Sequence, residues 1–92
     1  MKRRGCYSMA EVKIYSKDYC PYCDRAKNLL KQKGQGYEEI NLENDPEGFE
    51  KLKSQTGMRT VPQIFINGKL VGGFQELSAL NASGELDRLL GS

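Results

Sequence analysis

The 92-residue sequence contains no histidine and no tryptophan, and only three cysteines and three prolines. The missing histidine removes the commonest general base and the commonest metal ligand, so a nucleophile in this chain has to be activated by electrostatics. Three cysteines, few and odd in number, do not make the disulfide framework of a small secreted domain. Charge of one sign is also scarce. The net charge is +2 with 28% charged residues, too small a surplus for a nucleic-acid footprint, and no aromatic residues are interleaved with a basic stripe. No segment approaches the roughly 20 apolar residues that a membrane span needs. Lys2, Arg3 and Arg4 resemble the start of a secretory signal, but no apolar run of signal length follows before Glu11 and Lys13. A reducing, cytoplasmic setting is the expectation, and there a Cys-x-x-Cys serves catalysis or metal binding rather than structure.

What the chain does have is a pair of thiols one helical turn apart. Cys20-Pro21-Tyr22-Cys23 stands between the alternating run Val12-Lys13-Ile14-Tyr15, which suits a strand, and a stretch in which Cys23, Ala26, Leu29 and Leu30 recur at helical spacing. The thiols therefore open a helix. At that position unpaired backbone N–H groups and the positive end of the macrodipole favour an anion, and the thiolate is the reactive form of cysteine. Pro21 suits the first helical position, having no N–H to lose and a φ already near the helical value. Cys23 is close enough to close a disulfide onto Cys20 but lies deeper in the helix, so the pair reads as attacker and resolver. Metal binding is the competing use. A structural zinc needs four ligands, however, and neither a histidine nor a second Cys-x-x-Cys is present, so no metal is expected.

Residues 1–10 show no periodicity and are expected to form a flexible N-terminal tail ahead of a single domain over residues 11–92. Met9 is an equally good start. Cys6 reads as inert or, alternatively, as an exposed thiol open to mixed-disulfide or dimer formation. The first helix is predicted to run to Gly34 and a second strand to occupy residues 37–42. Asp45-Pro46 supplies an N-cap followed by proline, with Phe49 and Leu52 three apart and Gly57 as the stop. Residues 60–66 are the most strand-like stretch. Asn67-Gly68 signals a hairpin turn, and Lys69-Leu70-Val71 returns antiparallel until Gly72-Gly73 breaks the strand. From Phe74 a helical pattern carries Leu77 and Leu80, is interrupted at Ser83-Gly84, where Ser83 is a candidate cap, and resumes with Leu86, Leu89 and Leu90. The order β-α-β-α-β-β-α predicts an α/β fold with a mixed four-stranded sheet flanked by helices. Tyr15, Phe49 and Phe65 are expected in the core. Lys27, Lys31 and Lys33 form either a solvated helix face or a docking surface for acidic partners.

Cys20-Pro21-Tyr22-Cys23 behind a strand, Thr60-Val61-Pro62 opening the third strand, and Gly72-Gly73 after the hairpin resemble, at these separations, the glutaredoxins, and among them the short bacterial dithiol type. The resemblance runs from about residue 12 to residue 90. Thioredoxins share the fold, but their active site usually carries Trp-Cys-Gly-Pro-Cys, and this chain has no tryptophan. The resemblance implies a thioredoxin-like fold and a glutathione-dependent thiol-disulfide oxidoreductase. Such an enzyme reduces protein–glutathione mixed disulfides and protein disulfides through Cys20 as nucleophile and Cys23 as resolving thiol. Glutathione is then a co-substrate and no cofactor is permanently bound. The implied clients are glutathionylated or disulfide-bearing proteins, ribonucleotide reductase among the candidates, and the implied state is a cytoplasmic monomer.

The same resemblance implies a glutathione groove. Tyr22 would wall it, Lys17 would supply a cation for the glycine carboxylate, and Arg59 is a further basic group beside Thr60. Thr60 and Val61 would pair through their backbone with the cysteinyl part, in the manner of an added strand, with Pro62 in the cis form. Gly73, Phe74 and Gln75 would receive the γ-glutamyl carboxylate at a helix start. Gln75 departs from the acidic residue common at that position, with Glu76 the neighbouring carboxylate. A glutathione-ligated iron–sulfur carrier is the alternative within the family, and Pro21 argues against it by the same comparison.

Overall fold

Alternating burial sets the first strand of the computed structural model, which describes residues 10–90. β1 (Val12–Ser16) buries Val12, Ile14 and Ser16 and leaves Lys13 and Tyr15 half-covered on its other face, the period of two that a strand imposes. α1 (Pro21–Gln32) buries Cys23, Ala26 and Leu30 along one stripe. It ends where the Gly34 N–H reaches the Lys31 carbonyl and the Gln35 N–H reaches the Leu30 carbonyl, both at 3.0 Å, a pairing that satisfies two otherwise orphaned helix-end acceptors. β2 (Glu38–Asn41) lies parallel to β1. α2 (Pro46–Thr56) starts as the Asp45-Pro46 pair dictates, with Asp45 Oδ1 accepting the Gly48 N–H at 3.0 Å.

β3 (Gln63–Ile66) and β4 (Lys69–Gly72) form the hairpin around Asn67 and Gly68, whose φ values of 54° and 82° are the positive pair that a tight hairpin turn requires. α3 (Phe74–Ser83) and the short α4 (Glu85–Leu89) complete the chain, and Ser83 Oγ accepts the Glu85 N–H at 3.3 Å where they meet. The sheet order is β2-β1-β3-β4, parallel between β2 and β1 and antiparallel elsewhere. The predicted α/β architecture with its mixed four-stranded sheet is therefore present. Val12, Ile14, Ile64 and Ile66 from the sheet meet Ala26 and Leu30 of α1, Leu77 of α3, and Leu86 and Leu90 at the C-terminal end in one apolar cluster. Each fully buried aliphatic side chain there contributes about 1.5–3 kcal/mol. No helix among the described residues is long and apolar enough to cross a membrane.

Four expectations are corrected or fall elsewhere. The third strand starts at Gln63 rather than Thr60, because its pairing with β1 ends at Tyr15 opposite Gln63 and Pro62 has no N–H to extend the ladder. Gly72 ends β4 instead of breaking it, paired with Ile64 across a bulge. Tyr15, Phe49 and Phe65 are half-buried rather than core. They lie outside the main cluster, Tyr15 and Phe65 meeting edge to face at 5.7 Å and Phe49 lying under the ammonium groups of Lys17 and Lys53. Residues 1–9 of the expected tail, Cys6 among them, lie outside the described residues.

The lysine run of α1 is not one uniform face. Lys27 Nζ lies 3.0 Å from Glu39 Oε2 and 3.5 Å from Asp24, and Lys33 Nζ lies 2.9 Å from Asp87. Ser16 Oγ, fully buried at the end of β1, donates to the same Glu39 oxygen at 2.7 Å. One carboxylate thus ties α1 to both β1 and β2. The Ser16 hydroxyl first, and then Lys27, hold the Glu39 carboxyl below its ordinary value of 4.5, and the hydrogen bond to Glu39 chiefly raises Lys27. A carboxyl lowered on folding contributes stability that is present above pH 4.5 and lost as the pH falls through its folded value. Glu39→Gln is therefore expected to lower stability at neutral pH by at most about 1 kcal/mol, since solvent screens a partly exposed pair. Urea midpoints of the two proteins are expected to differ at pH 7 and converge below the carboxyl range; a constant gap would show that the charge of Glu39 is not what is being lost.

Candidate active site

The loop before α1 is fastened to the end of β2 and the turn beyond it. Asn41 Nδ2 donates to Asp18 Oδ1 at 3.0 Å, and the Asp18 N–H donates to Glu43 Oε1 at 3.2 Å. Tyr19, fully exposed, turns the chain with a φ of 55° and delivers Cys20 to the N-cap of α1 in an extended conformation. Cys20 Sγ accepts the Cys23 N–H at 3.2 Å, the bond that a serine or aspartate oxygen makes at other helix starts. The two cysteines are joined as a disulfide with Cα atoms 5.2 Å apart. Cys23 is only 1% exposed whereas Cys20 is half-buried, so an incoming group meets Cys20 first.

Beside the disulfide lies a cleft of about 480 Å³, within the size range of small-ligand sites. One wall is Thr60, Val61 and Pro62, joined by a cis Val61–Pro62 bond. The Val61 carbonyl oxygen lies 3.8 Å from Cys20 Sγ, which sets the cleft against the reactive sulfur. The facing wall is Gly73, Phe74 and Gln75 at the start of α3, and Tyr22 stands between the walls, its ring 6.2 Å from that of Phe74 and beneath the Arg25 guanidinium. These residues, some of them more than half the chain apart, are ones the family resemblance singles out, and the fold brings them together.

Lys17 and Arg59 are not part of that lining. Lys17 Nζ sits 4.2 Å from the centre of the Phe49 ring, and Arg59 is exposed at the mouth side of Thr60 in sequence. Two lining residues, Met58 and Glu76, were not assigned from the sequence. Glu76 occupies the third position of α3, and its Oε1 accepts the Gly73 N–H at 2.8 Å. Glutamate three residues after a helix cap is a recognisable capping pattern, and that was the available signal. Met58 carries no such mark. No group of three or more metal-ligating side chains is found among the described residues.

The sequence profile of the glutaredoxins matches residues 12–71. Glutaredoxin 3 of Escherichia coli K12 is 46% identical over 82 residues, an overlap covering 89% of this chain and 99% of the relative. The chain belongs to the glutaredoxin family. A glutaredoxin of Ricinus communis is 40% identical, over 97% of this chain and 90% of its own. Among solved structures, the buckwheat glutaredoxin–glutathione complex superposes with a TM-score of 0.81 at 38% identity, covering 86% of this chain and 74% of that one. Oxidized glutaredoxin 2 of Chlamydomonas reinhardtii gives 0.79 at 44% identity, over 88% and 79% of the two chains. The Cys20–Cys23 pair, bridged and placed at a helix start, is consistent with the dithiol type. This glutaredoxin is a thiol-disulfide oxidoreductase with a thioredoxin-like fold.

The second wall of this glutaredoxin's cleft depends on Gly72. Its φ is +126°, and a Cβ there would come within 2.8 Å of both Cγ and Oε1 of Glu76. Gly72→Ala is expected to force Glu76 off the Gly73 N–H and to lower stability by about 1–3 kcal/mol. In a Glu76→Ala background the contacts with Cγ and Oε1 are gone while the Cβ at 3.0 Å and the backbone strain remain, so Gly72→Ala is expected to cost less there than in wild type but still to lower the denaturant midpoint.

Proposed function

We propose that this glutaredoxin uses glutathione to reduce protein–glutathione mixed disulfides and protein disulfides, with Cys20 as nucleophile and Cys23 as resolving thiol. The observation that carries the reading is the sulfur of Cys20 accepting a helix N–H at 3.2 Å beside a cleft that begins at the Val61 backbone. In the reduced enzyme that N–H and the helix dipole favour the thiolate, and the absence of histidine leaves electrostatics as the means of activation. Lys17 and Arg25, three and five residues from Cys20 in sequence, are the nearby cations that this reading adds to the helix field. The buckwheat relative solved with glutathione supports the same ligand here.

In deglutathionylation, the Cys20 thiolate attacks the glutathione sulfur of the mixed disulfide, forms a Cys20–glutathione disulfide and expels the protein thiolate. A second glutathione thiolate then attacks the glutathione sulfur of that disulfide, releasing glutathione disulfide and the Cys20 thiolate. With a protein disulfide, Cys20 first forms a mixed disulfide with the client. The Cys23 thiolate then attacks Cys20 Sγ, frees the second client thiol and leaves the bridge seen between Cys20 and Cys23. Two glutathiones return the pair to thiols.

The cleft residues take matching parts. Thr60 and Val61 offer backbone groups to the cysteinyl part beside cis-Pro62, and Tyr22 flanks it. The start of α3, at Gly73, Phe74 and Gln75, receives the γ-glutamyl carboxylate, with Glu76 near enough to meet the ammonium group. Lys17 and Arg59 are the cations available to the glycine carboxylate on rearrangement of their side chains. Glutathione is thus a co-substrate rather than a resident cofactor, and the clients are glutathionylated or disulfide-bearing proteins.

Separate assays of a glutathionylated peptide and a protein disulfide test the two roles. Cys20→Ser is expected to reduce both activities to background, while Cys23→Ser keeps deglutathionylation within the same order of magnitude and loses disulfide reduction. Equal loss of both activities in the two variants would overturn the assignment. Thiolate absorbance of the reduced enzyme is expected to show Cys20 ionised near neutral pH; titration like a free thiol would remove the electrostatic argument.

A further inference from the structure

Gln63, the first residue of β3, is fully buried on the sheet face it shares with Tyr15. Its amide nitrogen donates to two carbonyl oxygens, those of Met58 at 3.1 Å and Thr60 at 3.0 Å, which uses both hydrogens of the group. Its Oε1 is buried and finds no hydrogen-bond partner among the described residues. A buried acceptor left alone lowers stability, and an apolar side chain of similar length would avoid that cost. That side chain would also forgo the two donor bonds, so stability alone leaves little to choose between an amide and an apolar residue at this position.

What the amide holds is one wall of the cleft. Met58, Thr60 and Val61 all line it, and the carbonyls of the first two are drawn inward onto Gln63. Pro62 has no N–H to offer on one side of Val61, and the Thr60 carbonyl is engaged on the other. Edge pairing of an extended ligand with this segment consequently centres on Val61, whose carbonyl oxygen lies 3.8 Å from Cys20 Sγ.

We propose that Gln63 is a positioning residue for the thiol substrate: by engaging the Met58 and Thr60 carbonyls it restricts backbone pairing to Val61 and so fixes the register that places the substrate sulfur against Cys20. The inference rests on the glutathione reading above. It goes further in assigning a buried residue that touches neither ligand nor reacting sulfur to the control of binding.

The test compares wild type with Gln63→Met and Gln63→Asn in the reduced enzyme, using a glutathionylated peptide as substrate. Methionine keeps the length and apolar fit but deletes both donors together with the unpartnered acceptor. Loss of two hydrogen bonds that order the wall is expected to raise KM for the peptide about tenfold, with kcat and the thiolate titration of Cys20 unchanged and the melting temperature close to that of wild type. Asparagine, shorter by a methylene and able to hold one carbonyl, is expected to fall between the two and carries the same test should the methionine variant not fold. A lowered melting temperature with KM unchanged would show a purely structural role and overturn the proposal, as would an equal fall in kcat and kcat/KM at constant KM. Failure of the glutathione reading has a different signature, a wild-type enzyme that does not saturate with the glutathionylated peptide, and that result would remove the inference with it.

Discussion

The structure depends on a sulfur standing where a helix start ordinarily has an oxygen. Cys20 Sγ accepts the Cys23 N–H, so the same atom that ends the unpaired backbone of α1 is the one that exchanges electrons. A serine at that position would cap about as well, but it would not become an anion near neutral pH. On the proposed reading the cap and the nucleophile are one group, and it is the field of α1 that acts on it. Pro21 and the left-handed turn at Tyr19 serve this arrangement by fixing where the helix begins. Cys23 is buried by the same stripe that carries Ala26 and Leu30 into the core, which leaves Cys20 the more accessible of the two sulfurs.

The cleft exists because three remote segments converge on that helix start. The Thr60–Pro62 stretch comes beside Cys20 as the chain enters β3, and β4 returns it to Gly72 and the start of α3. The hairpin between them is fixed by Asn67 and Gly68, so the two walls are held by a single turn and its ladder. The walls come within contact distance at Gly73, where a Cβ would sit 3.4 Å from the Pro62 carbonyl oxygen. Beneath the first wall Gln63 holds two carbonyls, and above the second Glu76 holds the Gly73 N–H. Both walls are therefore fixed by side-chain hydrogen bonds.

Much of this was legible in the amino-acid order, for identifiable reasons. Local chemistry reported local structure: Asp45-Pro46 starts α2, Asn67-Gly68 turns the hairpin, and the Cys23, Ala26 and Leu30 stripe marks α1. The motif residues 60–62 and 73–75 line one cleft, as the family resemblance implies. The misses share a cause. Thr60 and Val61 have strand-like side chains, but whether they pair depends on where β1 ends, which lies more than forty residues away. Tyr15, Phe49 and Phe65 are large and apolar, and nothing within their own segments says that the sheet face they occupy is only lightly covered. Glu39, Gln63 and Met58 acquire their parts from contacts across the fold, with Ser16 and Lys27 in the first case and with the cleft wall in the other two.

The apolar covering of the two sheet faces is unequal. α1, α3 and α4 share a continuous cluster with Val12, Ile14, Ile64 and Ile66, whereas buried Leu42 and Leu52 lie outside it, with Phe49 half-exposed beneath lysine side chains. Local opening follows the weaker layer, because fewer apolar contacts have to be undone there. Amide protons in α2 should consequently exchange with solvent before those in α1. The layer that opens first is also the one from which the cleft wall hangs, since the Met58 N–H is held by Thr56 Oγ1 at the last turn of α2.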